Sequence, residues 1–330
     1  MTLISDFLAN NVFGVTTEDL ADFAKLEGCD LRELTLFGDI EDCKVALSSS
    51  MPLYVLPVGG SAGFPIGLHL RPKDIAERRL AFVSVQDETT LIEFAGSPRH
   101  LVTLSLLRTE AFAMETGDTE TLDEVVRKCR DMFGPSFFTP GAHGTFTWED
   151  VEEIAAEKFG STPLDCFEAA LFAKDQQERR RFLREGIEME PGCMALHTKL
   201  AMDYAKTGEE QPAAIETAAA LGCYHHTAYT TNLDKLYTQG RTLLDQYPDV
   251  FSEFDKKDLL MTDERDRLRW VTELYEAGEV EPGTKLLCDM CHKLMDYDSV
   301  LPIFRRHFEK LDWQWALALC NLRDGRVIPS

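Results

Sequence analysis

From residue 147 onward apolar side chains recur every three or four positions, and almost every stretch reads as amphipathic helix. Leu183 and Gly186, closed by Pro191, mark the second helix of one hairpin. Leu200, Ala201, Tyr204, Gly208, Ala213 and Ala220 mark the next, with small residues where two helices must approach closely. A later hairpin fits Val271, Tyr275, Thr284, Cys288 and Cys291, whereas 227–262 is helical in parts without a strict period.

Before residue 110 the pattern is different. Thr16-Thr17-Glu18-Asp19 offers capping chemistry ahead of Leu20, Phe23 and Ala24, which share one helical face. Apolar runs then shorten to strand length: Leu53–Val58, Phe64–Leu70, Leu80–Val85 and Leu91–Ala95. A glycine-rich turn, Gly59–Gly63, and an Asp87-Glu88 turn separate them. Ser97-Pro98 opens a helix over Arg99–Leu107, and a second spans Asp118–Met132 with Leu122, Val125, Val126 and Cys129 on one face. The expected fold class is an α+β N-terminal domain, helices plus an antiparallel strand meander, followed by an all-α helical-hairpin domain. The expected boundaries are 1–133, a Gly/Pro-rich connection at 134–146, the helical domain at 147–325 and a tail at 326–330. Phe137 and Phe138 in the connection are expected to pack.

Composition narrows the function classes. Of 330 residues 44% are hydrophobic and 28% charged, and the net charge is -23. Such a chain repels nucleic-acid phosphates, so a nucleic-acid partner is not expected. No apolar run has the length of a bilayer span, and the N-terminus lacks the basic–apolar order of a secretory signal. Nine cysteines without a framework fit a reducing cytosol, so a cytoplasmic location is expected.

Two short motifs tempt a catalytic reading. Cys288-Asp-Met-Cys291-His292 matches the haem-attachment pattern C-x-x-C-H, but in the hairpin register both cysteines are neighbouring packing positions on one helix. A redox pair needs a strand feeding the helix start, and zinc needs a second ligand pair that only His225-His226 offers. No cofactor or metal is expected. Gly59-Gly-Ser61-Ala-Gly63 matches the nucleophile elbow of serine hydrolases, yet Pro65 and Gly67 disfavour the helix such an elbow requires. Arg179–Arg181 with Arg184 reads as a solvated helix face supported by Glu185 and Glu188. The candidate partner-binding residues are the acidic groups Asp39, Glu41, Asp42, Asp87 and Glu88, and Arg269, Glu273 and Glu276 off the packing face of a late helix.

Two resemblances add to this reading. Asp19-Leu-Ala-Asp-Phe-Ala24 with Gly28, Leu53–Leu56, Gly59-Gly60, Gly63-Phe64, Ile66–Leu70, Leu80–Val83 and the helix from Ser97 resemble the SUKH superfamily. That superfamily includes a cell-wall-synthesis regulator and toxin-immunity proteins. The chain departs from it with Thr-Thr where the family has Leu-Pro, and Glu27-Gly28 where it has Asn-Gly. The hairpins resemble tetratricopeptide-like arrays. Together the resemblances imply a non-catalytic interaction protein, an immunity protein or a scaffold, that takes another protein, and the acidic charge suits a basic one. The alternative is a hydrolytic enzyme using Ser61.

Overall fold

A computed structural model describes residues 9, 15–27, 55–61, 64–69, 81–86, 90–222, 231–251 and 264–279. Beyond these it describes positions 283, 305, 306, 308–310, 312, 314 and 317. The elements are α1 (Thr17–Glu27), β1 (Val55–Ser61), β2 (Phe64–His69), β3 (Ala81–Gln86), β4 (Thr90–Ala95), α2 (Pro98–Thr116), α3 (Thr119–Phe133), α4 (Val151–Phe159), α5 (Pro163–Phe172), α6 (Gln176–Met189), α7 (Met194–Lys206), α8 (Glu210–Gly222), α9 (Thr231–Leu244) and α10 (Glu264–Glu276).

Helix starts follow local chemistry. Ahead of α1 the Thr16 amide donates to Asp19 Oδ2 and the Asp19 amide donates back to Thr16 Oγ1, a reciprocal cap. Thr162 and Asp165 repeat the arrangement at α5, with Pro163 at the first helical position, where a missing N–H costs nothing. Ser97 caps α2 by accepting from the His100 amide. That helix runs nine residues past the expected Leu107 to Thr116, because Arg108–Thr116 holds no Pro or Gly to stop it.

The expected α+β first domain is corrected. Helix dominates the described residues, and the strands are short, six or seven residues each. Their backbones pair antiparallel in the order β1-β2-β3-β4, but among the described residues no domain of strands with its own covering helices stands apart. β4, the strand whose side chains are described, lies against α5 and α7 as well as α2. Ile92, Phe94 and Ala95 are buried there, in a core that runs from Phe23 through α2–α7 to Val271 and Phe308. The physical reason is length. A strand this short buries too little to sustain a core alone, and helices from both sides of the Gly/Pro stretch enclose it.

The helical part stacks as hairpins. α5 packs on α6 and α7 on α8, joined by three-residue links, and α6 lies against α7. Leu183, Leu200, Ala201, Ala213 and Ala220 are buried, and Tyr204 nearly so. Gly208 turns the second hairpin at φ +74°, a conformation that a Cβ disfavours. A second cluster, with Ala214, Ala218, Leu221, Leu243 and Phe251, joins α8 to α9 and the segment after it. The Gly/Pro-rich stretch is anchored by Phe137, Phe138 and Phe146, all buried.

Candidate functional site

Two regions carry chemistry. The first is the hairpin face of α6 and α7. Asp203 on α7 is 7% exposed, and three side chains of α6 converge on it. Arg179 Nη1 lies 3.0 Å from Oδ1, Arg180 Nε lies 2.6 Å from Oδ2, and Gln176 Nε2 donates to Oδ2 at 3.2 Å. Burial pushes the Asp203 carboxyl up, but the hydrogen bonds from Arg180, Arg179 and Gln176 outweigh it and hold the group below its usual range. Arg180 also pairs with Glu209 at 2.8 Å and lies over the Tyr204 ring at 4.1 Å, while Arg184 donates to the Tyr204 hydroxyl. Arg179 and Arg180 are therefore drawn off the solvated face, whereas Arg181, 3.8 Å from Glu185 across one helical turn, and Arg184 are exposed as expected. The reason is that Asp203 lies on the neighbouring helix, where no local spacing rule finds it.

His197 ties α7 to its surroundings. Its Nδ1 is 2.7 Å from Glu216 on α8 and its Nε2 is 3.0 Å from the Pro191 carbonyl. Both ring nitrogens thus lie against acceptors, one on α8 and one in the chain just before α7. Outside this bonded interior the hairpins expose large apolar side chains. Leu171, Met189, Met202 and Ile215 are each about two-fifths to one-half exposed, and Phe172 is 84% exposed at the tip of α5.

The second region lies between α2, the 134–146 stretch and α4. A cavity of about 230 Å³ opens there. Leu107, Phe137, Phe138 and Ile154 form its apolar part; Thr103 on α2, Lys158 on α4, and Ser136, Thr139 and His143 of the stretch line it with polar groups. Phe133 stacks on Phe137 with ring centroids 4.6 Å apart, and His100 stacks on Phe159 at 4.6 Å. Burial drives the His100 imidazole down to about 4, so it is neutral at ordinary pH and accepts from the Gly96 amide through Nδ1. Asp22, 1% exposed, pairs with two nearby cations, Arg99 at 2.6 Å and Lys25 at 2.9 Å, and Arg99 also meets Glu18 at 3.2 Å. Beyond the cavity, Glu110 accepts from the Gly141 amide and pins the loop to α2.

Between α2, α4 and α5 stands a carboxylate group. Burial pushes Glu168 up to about 7; the charges of Glu152 and Asp165 add to this, and Arg108 opposes it. Arg108 Nη2 lies 2.8 Å from Glu152 Oε1. Burial also raises the Asp165 carboxyl, against hydrogen bonds from Thr162. Among the described residues no cluster of three or more His, Cys, Asp or Glu is arranged to hold a metal ion.

The sequence-derived candidates are placed as follows. Asp39, Glu41, Asp42, Asp87 and Glu88 lie outside the described residues, as do Cys288, Cys291, His292 and the His225-His226 pair. Arg269, Glu273 and Glu276 are exposed on α10, with Arg269 Nε 4.0 Å from Glu273 Oε1. Ser61 ends β1 opposite Phe64 of β2, so the chain turns from strand into strand and not into a helix. Burial pushes the Cys166 thiol up to about 11, away from nucleophilic range. Sequence reading missed Asp203, His197 and Lys158, each of which acts with residues distant in the chain, and Thr103, whose hydroxyl has no partner.

Compared with protein-family models, with curated proteins and with solved structures, the chain finds no match. Among the described residues no helix is long and apolar enough to cross a membrane.

Proposed function

We propose that this chain is a non-catalytic protein–protein interaction protein whose stacked hairpins, α5–α8, present the working surface. The observation that carries this reading is the placement of exposed apolar bulk. Of the seven large hydrophobic residues exposed among the described residues, five (Leu171, Phe172, Met189, Met202 and Ile215) lie on these four consecutive helices. Where exposed side chains of this size gather on one set of packed helices, another protein can cover them together. The interior behind them is held by Asp203, Arg179 and Arg180, which gives the surface a rigid backing.

The partner is a basic protein, because a chain of net charge -23 attracts positive surfaces and repels acidic ones. The toxin-neutralising form of this reading rests on the superfamily resemblance, and it implies a basic nuclease as the partner. Affinity capture with the full chain and with Phe172→Asp and Ile215→Asp variants tests the proposal. One stoichiometric basic protein should be retained by the unaltered chain and lost from both variants. Equal retention by all three, or covalent labelling of Ser61 by a fluorophosphonate, overturns it.

A further inference from the structure

The cavity beneath the 134–146 stretch is separate from the hairpin surface, and its chemistry is specific. Its volume, about 230 Å³, is instructive. A dry apolar hole of ~150 Å³ accepts a benzene ring, and drug-sized sites start near 300 Å³. The space therefore suits one ring or short branched chain with a small head group.

The polar features define that head group. Lys158 makes no ion pair among the described residues; its ammonium lies 5.6 Å over the Phe137 ring and 5.2 Å over the Phe159 ring. The neighbouring cations Lys25 and Arg99 share Asp22, and Arg99 also meets Glu18 at 3.2 Å, whereas the exposed Lys158 has only the ring faces and solvent. In so acidic a chain, a cation left without a carboxylate beside an apolar cavity invites one from outside.

Thr103 supplies the second observation. Thr109, Thr116, Thr217 and Thr242 each return their hydroxyl to the carbonyl four residues earlier. Thr103 does not: it is 4% exposed, and its Oγ1 has no hydrogen-bond partner, although the residue lines the cavity. A buried hydroxyl left unmet is costly, so turning the Thr103 side chain to bring Oγ1 toward a polar atom held in the cavity is favourable. Glu110, two turns further along α2, gives one carboxyl oxygen to the Gly141 amide, leaves the other without a hydrogen-bond partner, and is not among the lining residues.

We infer that this cavity binds a small free carboxylic acid with an apolar body, an arylalkanoate or a short branched acid, its carboxylate at Lys158 and its body among Leu107, Phe137, Phe138 and Ile154. Titration calorimetry and saturation-transfer NMR on the full chain test this with phenylacetate, 2-phenylethylamine and benzyl alcohol. Phenylacetate should bind with a Kd of about 1 mM or tighter, and at least about tenfold tighter than the amine or the alcohol. Lys158→Met should weaken phenylacetate about tenfold or more, and Thr103→Val by a smaller factor of about 3, with circular dichroism unchanged in both. Equal binding of the amine or the alcohol overturns the inference. So does an unaltered affinity in Lys158→Met, or no phenylacetate signal up to about 10 mM. Neither residue belongs to the hairpin surface, so this result is independent of the partner-capture experiment.

Discussion

At Gly186 on α6 there is no room for a single added carbon. A Cβ would meet Leu196 Cδ1 at 2.9 Å and Cys166 Cβ at 3.0 Å. Behind the 134–146 stretch the same chain leaves about 230 Å³ unfilled. The two regions differ in what closes them. Between α5, α6 and α7 regular helices meet, so small residues at helical spacing let the backbones approach until side chains interlock. Between α2 and α4 the lid is an irregular chain carrying Phe137 and Phe138, and large rings hung from a loop span a gap without filling it. A tight interface of the first kind favours rigidity; an open one of the second kind favours a guest.

That contrast makes the hairpins sensitive to substitution and the cavity tolerant. The largest loss is expected from Asp203→Asn, which leaves Arg179 without a carboxylate and Arg180 with Glu209 alone; urea unfolding should show a loss of about 2–3 kcal/mol. Gly186→Ala follows, at about 1–2 kcal/mol, because crowding against Leu196 and Cys166 outweighs the better helix propensity. Equal stability of that variant would mean that the hairpins are looser than their geometry shows.

The carboxylate group between the two regions responds to pH. Burial raises the folded-state value of Glu168 from 4.5 to about 7, so its contribution is full below about 4.5 and is lost as pH rises toward 7. Glu168→Gln should flatten that part of the stability profile and gain about 1 kcal/mol at pH 8, a figure reduced for the group's partial exposure. Thermal melts from pH 4 to pH 8 check the slope. The smallest effect belongs to Thr103→Val, which removes an unsatisfied hydroxyl from the cavity wall and should change stability by about 0.5 kcal/mol or less.

Legibility from the sequence followed the same division. Leu183, Leu200, Ala201, Ala213 and Ala220 were readable as packing positions because helical periodicity is a local property. So were the buried face of α3, Leu122, Val125, Val126 and Cys129, and the cap at Thr16–Asp19. The α+β class failed because periodicity marks a strand but does not say what covers it, and β4 is covered by α5 and α7 from far along the chain. The Arg179–Arg181 run misled for a related reason. Its acids at i+4 were visible, whereas Asp203, more than twenty positions away, was not. Thr103 and Lys158 carry no sequence signal, since a missing partner shows only when every neighbour is placed.

The reciprocal Thr–Asp caps at Thr16, Thr147 and Thr162 have a consequence for how this chain reaches its shape. Each joins residues three apart, so the start of α1, of the turn before α4, and of α5 is specified before any long-range contact forms. Helical registers set this early give the arriving segments a fixed pattern of ridges to dock against. Misaligned pairings of the hairpins, the usual hazard of repeated architectures, are thereby made less frequent during folding.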